Sequence, residues 1–186
     1  SSVKEAELAK LFTNSQRYIE FAVANQFYMI ADNYDVDFDK LRKVMTYGYK
    51  RAKKLPSAGF AVGPCLLKDT MQLHSFINNN FLLGHAAMNI NQSLPNHIVD
   101  KIKSKFKIDN LKVGILGMSF KANVDDTRDS LSFKLKKILQ FNNCNVLCSD
   151  YHIKDNSYVT EKKLINDSKV IIIAVPHDKY KKIKFP

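Results

Sequence analysis

The chain has 186 residues, 45% of them hydrophobic and 25% charged, which is ordinary globular composition and room for one domain or two small ones. The longest apolar run near the end, Val170 to Val175, is far short of the roughly 20 residues a bilayer crossing needs, and the first residues carry no secretory signal. Three cysteines support neither a disulfide framework nor a zinc site, no metal is expected, and a reducing cytoplasm fits best. The net charge of +11 suits polyanions, yet the basic residues are scattered and no aromatic stacking motif accompanies them, so nucleic acid is not expected as a partner.

From Lys4 to about Asn33 there is neither Pro nor Gly, and Leu8, Leu11, Phe12, Ile19, Ala22, Val23 and Ile30 fall near a 3.6 period, predicting one long amphipathic helix in which Leu8, Phe12 and Ile19 lie nearly opposite Lys10 and Asn14, so that one face can be core while the other lines a site or a second packing surface. Asp35 to Asp37 read as a turn and cap before a second helix, Phe38 to Tyr47. Gly48 to Pro64 is loop-like. A third helix is predicted to begin near Asp69, with an interruption at Asn78-Asn79-Asn80 and a resumed apolar pattern from Phe81 to Ile90. Ser93 and Pro95 read as the cap and first turn of another helix, Asn96 to Phe106. The texture then changes: strands at 111–117, 145–149 and 170–175 alternate with helices at 130–141 and 160–167, the pattern of a parallel doubly wound sheet. The expected organisation is a helical domain at 1–92 and an α/β domain at 93–186.

Three constellations carry chemistry. Lys10 and Asn14, at i and i+4, share a helix face, where an ammonium and a carboxamide can stabilise an oxyanion and position a water; an ordinary exposed polar pair has the same spacing. Gly63-Pro64-Cys65-Leu66-Leu67-Lys68-Asp69 places a cysteine after a Gly-Pro turn, just before a helix, where backbone N–H groups and Lys68 favour a thiolate and Asp69 can act as a base; a packed cysteine with Asp69 as a cap is the alternative. Gly114-Ile115-Leu116-Gly117-Met118-Ser119-Phe120-Lys121-Ala122 is a strand opening into a Gly turn, where doubly wound folds bind phosphorylated ligands, although it lacks the full G-x-G-x-x-G pattern. Lys121 and Arg128, in the polar stretch that follows, are candidate phosphate or sugar contacts; a surface Lys–Asp–Arg network is the competing account.

Together, Glu7 to Asn14, Gly63 to Asp69, and Leu116 to Ala122 continuing into Asp126-Thr127-Arg128-Asp129-Ser130 resemble the UDP-glucose/GDP-mannose dehydrogenase family, in order and spacing, over essentially the whole chain. The resemblance implies a central helical dimerisation domain followed by a Rossmann-like, nucleotide-sugar-binding domain that stops short of its last strands, with the N-terminal NAD-binding domain absent. It implies NAD-dependent oxidation of a UDP-hexose C6 alcohol, of glucose type, to the uronate through a cysteine thiohemiacetal and thioester. On this resemblance Cys65 is the nucleophile, Lys10 stabilises the oxyanion, Asn14 positions sugar or water and Asp69 assists the water. Lys121 and Lys68 contact the substrate, Arg51 reaches the neighbouring subunit's site, and Arg128 reaches the cofactor side. The family's usual loop before the cysteine is richer in Gly than Gly59 to Pro64, which bears on the identity of the sugar. The chain alone is expected to be inert and the parent enzyme to be a homodimer.

Two other readings remain at this stage. A β-hydroxyacid dehydrogenase shares the Lys-x-x-x-Asn helix but requires neither the Cys65 loop nor a second α/β domain. A basic nucleic-acid module predicts steep salt dependence and indifference to nucleotide sugars.

Overall fold

The computed structural model describes residues 2–60, 63–183 and 185. Ala61 and Val62, in the loop expected to shape the sugar pocket, lie outside them. The chain divides into two compact units, Ser1–Leu94 and Pro95–Pro186.

The first unit is helical: α1 (Val3–Asn33), α2 (Phe38–Thr46), α3 (Pro64–Phe76) and the first part of α4 (Leu82–Lys105). Ser2 and Glu5 form a capping box at the start of α1, and Asp37 caps α2 through the Lys40 N–H. The buried stripe of α1 is Leu11, Ser15, Tyr18, Ala22 and Asn25, a spacing of three and four. Phe12, one of the apolar residues of that period, lies outside this stripe and is 58% exposed. The neighbouring stripe wins because Tyr18 and Ala22 pack on Leu66 of α3 and Ala87 of α4, and polar Ser15 and Asn25 are carried inside with them.

The third helix starts five residues earlier than expected, so Cys65 lies within it rather than before it. Pro64 suits the first helical position, since its missing N–H has no helical partner there, and Gly63 at φ 152° makes the approach. Asn78 and Asn79, both at positive φ, follow the end of α3.

The helices expected at 81–90 and 96–106 are one helix, α4, running through Pro95, so Ser93 is no N-cap; its hydroxyl donates to the Ile90 carbonyl. An interior proline costs about 3 kcal/mol. Leu94, Val99 and Ile102 are all buried, at about 1.5–3 kcal/mol each, which outweighs the break.

In the second unit, β1 (Lys112–Leu116), α5 (Leu131–Phe141), β2 (Asn145–Ser149), α6 (Glu161–Asp167) and β3 (Val170–Ile173) build a parallel sheet of order β2-β1-β3. Register pairs Ile115 with Cys148 on one side and Ile172 on the other. Central β1 is buried from Val113 to Leu116, as a strand covered on both faces should be. Strand β3, apolar along its whole length, is only half-buried, with Ile173 45% exposed, because it lies on one side of β1 with no described strand beyond it. A short 3-10 turn at Asp178–Lys182 follows, and its Tyr180 seals Leu116 and Leu164. No helix among the described residues is long and apolar enough to cross a membrane.

Candidate functional site

In the first unit, Lys10, Asn14 and Asp69 converge on one atom. Asn14 Nδ2 donates to Asp69 Oδ2 at 2.6 Å, and Lys10 Nζ lies 3.2 Å from the same oxygen. The Asp69 side chain is buried while Lys10 is 63% exposed, so the cluster has a carboxylate at its floor and an ammonium at its mouth. A cleft lined by Leu8, Lys10, Leu11, Gln72 and Phe76 adjoins it.

Cys65 stands one helical turn before Asp69 on the same side of α3, at an exposed position. Leu66, its neighbour, anchors the turn in the core against Tyr18. The other two thiols contrast with it: Cys144 and Cys148 are buried, and burial pushes the Cys148 thiol up to about 11. Lys68 is exposed on α3. Arg51 lies elsewhere, in a cleft against Glu20, Val23 and Phe27 of α1. Thirteen residues of helix separate Lys10 from Val23, about 20 Å along the axis, so Arg51 is not part of the Lys10 cluster of its own chain.

The loop before Cys65 is fastened by two fully buried amides that the sequence reading missed. Asn91 Nδ2 donates to the Tyr18 carbonyl, its Oδ1 accepts from Asn25 Nδ2 at 2.9 Å, and Asn25 Oδ1 accepts the Gly59 N–H at 2.8 Å. The only signal in the sequence is an Asn on the apolar stripe of α1.

In the second unit, the loop after β1 begins at Gly117, whose φ of +89° and contact with the Val175 backbone exclude a side chain. The loop is braced internally: the Phe120 N–H donates to the Asp126 carbonyl, and Ser130 and Ser132 hydroxyls donate to the Ser119 and Gly117 carbonyls. Lys121 is exposed on it, its Nζ over the Phe120 ring. Arg128 grips Asp126 through Nε and Nη2, at 2.6 Å for the latter, and this guanidinium, with the Arg128 backbone N–H, holds the Asp126 carboxyl below its ordinary range.

Sequence reading also missed Asp150, at the end of β2. Its carboxylate accepts the N–H groups of Met118 and Ser119 through Oδ2 and of His152 and Ile153 through Oδ1. Burial alone would raise this carboxyl, but the Met118 and His152 N–H groups and His177 outweigh it and hold it below the usual value. The Met118 and Ser119 N–H groups occupy the place where a dinucleotide fold cradles a pyrophosphate, and Asp150 engages both. The Gly117 turn therefore does not fit a dinucleotide.

A helical unit with a Lys–Asn–Asp cluster one turn from an exposed cysteine, followed by a unit built on a parallel sheet, has its counterpart among the nucleotide-sugar dehydrogenases. Residues 4–93 match the central domain of the UDP-glucose/GDP-mannose dehydrogenase family, and residues 114–186 match the UDP binding domain of the same family. The chain belongs to this family. It is 30% identical over 183 residues to UDP-N-acetyl-D-mannosamine dehydrogenase of Methanocaldococcus jannaschii, covering 97% of this chain and 42% of that protein. The structure of UDP-D-ManNAc dehydrogenase from Pyrococcus horikoshii superposes with a TM-score of 0.83 at 26% identity, covering 97% of this chain and 44% of the other. A UDP-glucose dehydrogenase from Pyrobaculum islandicum shares the fold at a TM-score of 0.86 and 23% identity, with 98% and 46% covered. The chain thus spans less than half the length of the relatives it matches.

Proposed function

We propose that the chain supplies the central and sugar-nucleotide-binding portion of an NAD-dependent UDP-sugar 6-dehydrogenase, acting on the sugar C6 alcohol through a covalent cysteine step. The observation that carries this reading is the convergence of Lys10 and Asn14 on the buried Asp69, one turn from the exposed Cys65. The names of the relatives favour an N-acetylated hexosamine, UDP-N-acetylmannosamine, over the glucose-type sugar preferred from sequence alone.

Hydride acceptance belongs to a nicotinamide cofactor held outside the Gly117 turn. The chain's own residues serve the acyl chemistry. The Cys65 thiolate adds to the C6 aldehyde, forming the C–S bond, and Lys10 faces the oxyanion that develops. Once the carbon has reached the thioester level, a water held by Asn14 and Asp69 attacks it. One of its protons passes to Asp69, the C–S bond breaks to release the thiolate, and the carboxylic acid left behind gives its remaining proton to solvent to become the carboxylate. Lys121 and Lys68 offer cations to the nucleotide sugar, and Arg128 is the candidate contact for the cofactor side. A second copy is the natural partner for the helical unit, whose Ile30, Val44 and Tyr47 stand exposed and whose exposed Phe27 shares a cleft with Arg51. A cytoplasmic location accords with this substrate class.

The test is the NADH yield per sugar in the full-length enzyme containing this chain. Two NADH per UDP-N-acetylmannosamine, lost in Cys65→Ser, are expected, with none from the 186-residue chain alone. One NADH per sugar, unchanged in Cys65→Ser, would remove the covalent step and favour a simple alcohol dehydrogenase of the β-hydroxyacid type.

A further inference from the structure

The carboxyl ends of all three strands are tied together by one imidazole. His177, after β3, is fully buried. Its Nε2 lies 3.0 Å from Asp150 Oδ2 at the end of β2, and its Nδ1 accepts the backbone N–H of Asn123, in the loop after β1, at 2.8 Å. A backbone N–H can only donate, so Nδ1 carries no proton and Nε2 carries the ring's single one, given to the carboxylate. The ring is packed by His152 and Tyr180, and Ser119 Oγ, 3.5 Å from Nε2, donates its hydroxyl to the Lys121 carbonyl.

Asn123 sits at φ 61°, a left-handed conformation that asparagine adopts more readily than other non-Gly residues. Besides its N–H on His177, its Oδ1 accepts the Asp178 N–H at 3.1 Å and its Nδ2 donates to Asp178 Oδ2 at 2.7 Å. Asn123 follows Lys121 by two residues and precedes Arg128 by five, so fixing it fixes the loop that carries both cations. None of the bonds that hold Asp150 reaches that far: its loop partners stop at Met118 and Ser119.

We infer that His177 is a positioning residue: locked as the Nε2–H tautomer by Asp150, it sets the Lys121–Arg128 loop for a nucleoside diphosphate through the lone pair on Nδ1. This rests on the reading of that loop as the sugar-nucleotide contact.

Two substitutions separate the two ring nitrogens. In His177→Asn the Oδ1 takes the place of Nδ1 and keeps an acceptor for the Asn123 N–H, while the donor to Asp150 is lost. In His177→Gln the Nε2 amide keeps the donor to Asp150, and the acceptor is lost. Amide hydrogen exchange over residues 119–124 and titration with UDP are measured on both, beside the wild-type chain. The Asn variant is expected to keep the Asn123 amide protected and to bind UDP within about twofold of wild type. The Gln variant is expected to lose that protection and to bind UDP about tenfold more weakly, the effect of one buried hydrogen bond. Imidazole 15N shifts of the wild type, which need no variant, should show an unprotonated Nδ1. A protonated Nδ1, equal exchange in the two variants, or altered exchange with unaltered UDP affinity each overturns the inference. Absence of UDP binding by the wild type, with the exchange difference intact, instead counts against the proposed function of the loop and removes the ligand role of His177 with it.

Discussion

Replacing Asp150 by Asn tests the polar centre of the second unit, because the substitution keeps the shape and changes only which atoms accept. Each carboxylate oxygen faces donors alone: Oδ1 meets the N–H groups of His152 and Ile153 at 2.7 and 3.2 Å, and Oδ2 meets those of Met118 and Ser119 at 2.6 and 3.3 Å together with the His177 imidazole at 3.0 Å. An asparagine must turn its NH2 to one of the two groups. The less costly choice abandons His152 and Ile153, leaving two donors pointing at a third. Each orphaned donor costs about 1–3 kcal/mol, and since the Ile153 bond is long the total expected is about 2–4 kcal/mol. Amide exchange at Val113 to Leu116 in rising urea reports the stability of this sheet by itself. The Asp150 carboxyl is depressed in the folded chain, so its contribution is present above the unfolded value near 4 and is lost as pH falls through the folded one. Asp150→Asn should remove that part of the acid sensitivity as well. A stability change under about 1 kcal/mol, or an unaltered acid limb, would refute the reasoning.

Gly117→Ala forces a Cβ to within 2.5 Å of the Val175 carbonyl oxygen at a φ of +89°. Left-handed strain and overpacking against backbone together predict a loss of about 2–5 kcal/mol in the second unit, read by the same exchange measurement, with the first unit unaffected. Asn25→Asp replaces a donor by an acceptor opposite Asn91 Oδ1, and Asn91 cannot turn over because its NH2 serves the Tyr18 carbonyl. Thermal unfolding should show a first unit weaker by about 2–4 kcal/mol, and the Gly59 amide should exchange faster. Asn25→Ala leaves the Gly59 N–H and Asn91 Oδ1 without their partner and should fall in the same range by the same assay.

Much of the local structure was legible in residue types and their spacing. The Pro- and Gly-free stretch to Asn33 is one helix, Asp37 and Thr160 cap helices through their side chains, and β2 runs from Asn145 to Ser149 as its apolar run indicates. These features depend on near neighbours, within four residues on a helix or two on a strand. The family, too, was readable, from three short motifs in order.

The rest required partners far apart in sequence. No local rule says that a helix should continue through Pro95; burial of Leu94, Val99 and Ile102 decided it. Spacing set Lys10 beside Asn14, but only the packing of α1 on α3 brought Asp69, 55 residues from Asn14, onto both. Asp150 and His177 were unremarkable as single letters. They became a buried pair because parallel strands bring their carboxyl ends to one edge, whatever length of chain lies between them, and a carboxylate taken from water there must find every hydrogen bond it has lost.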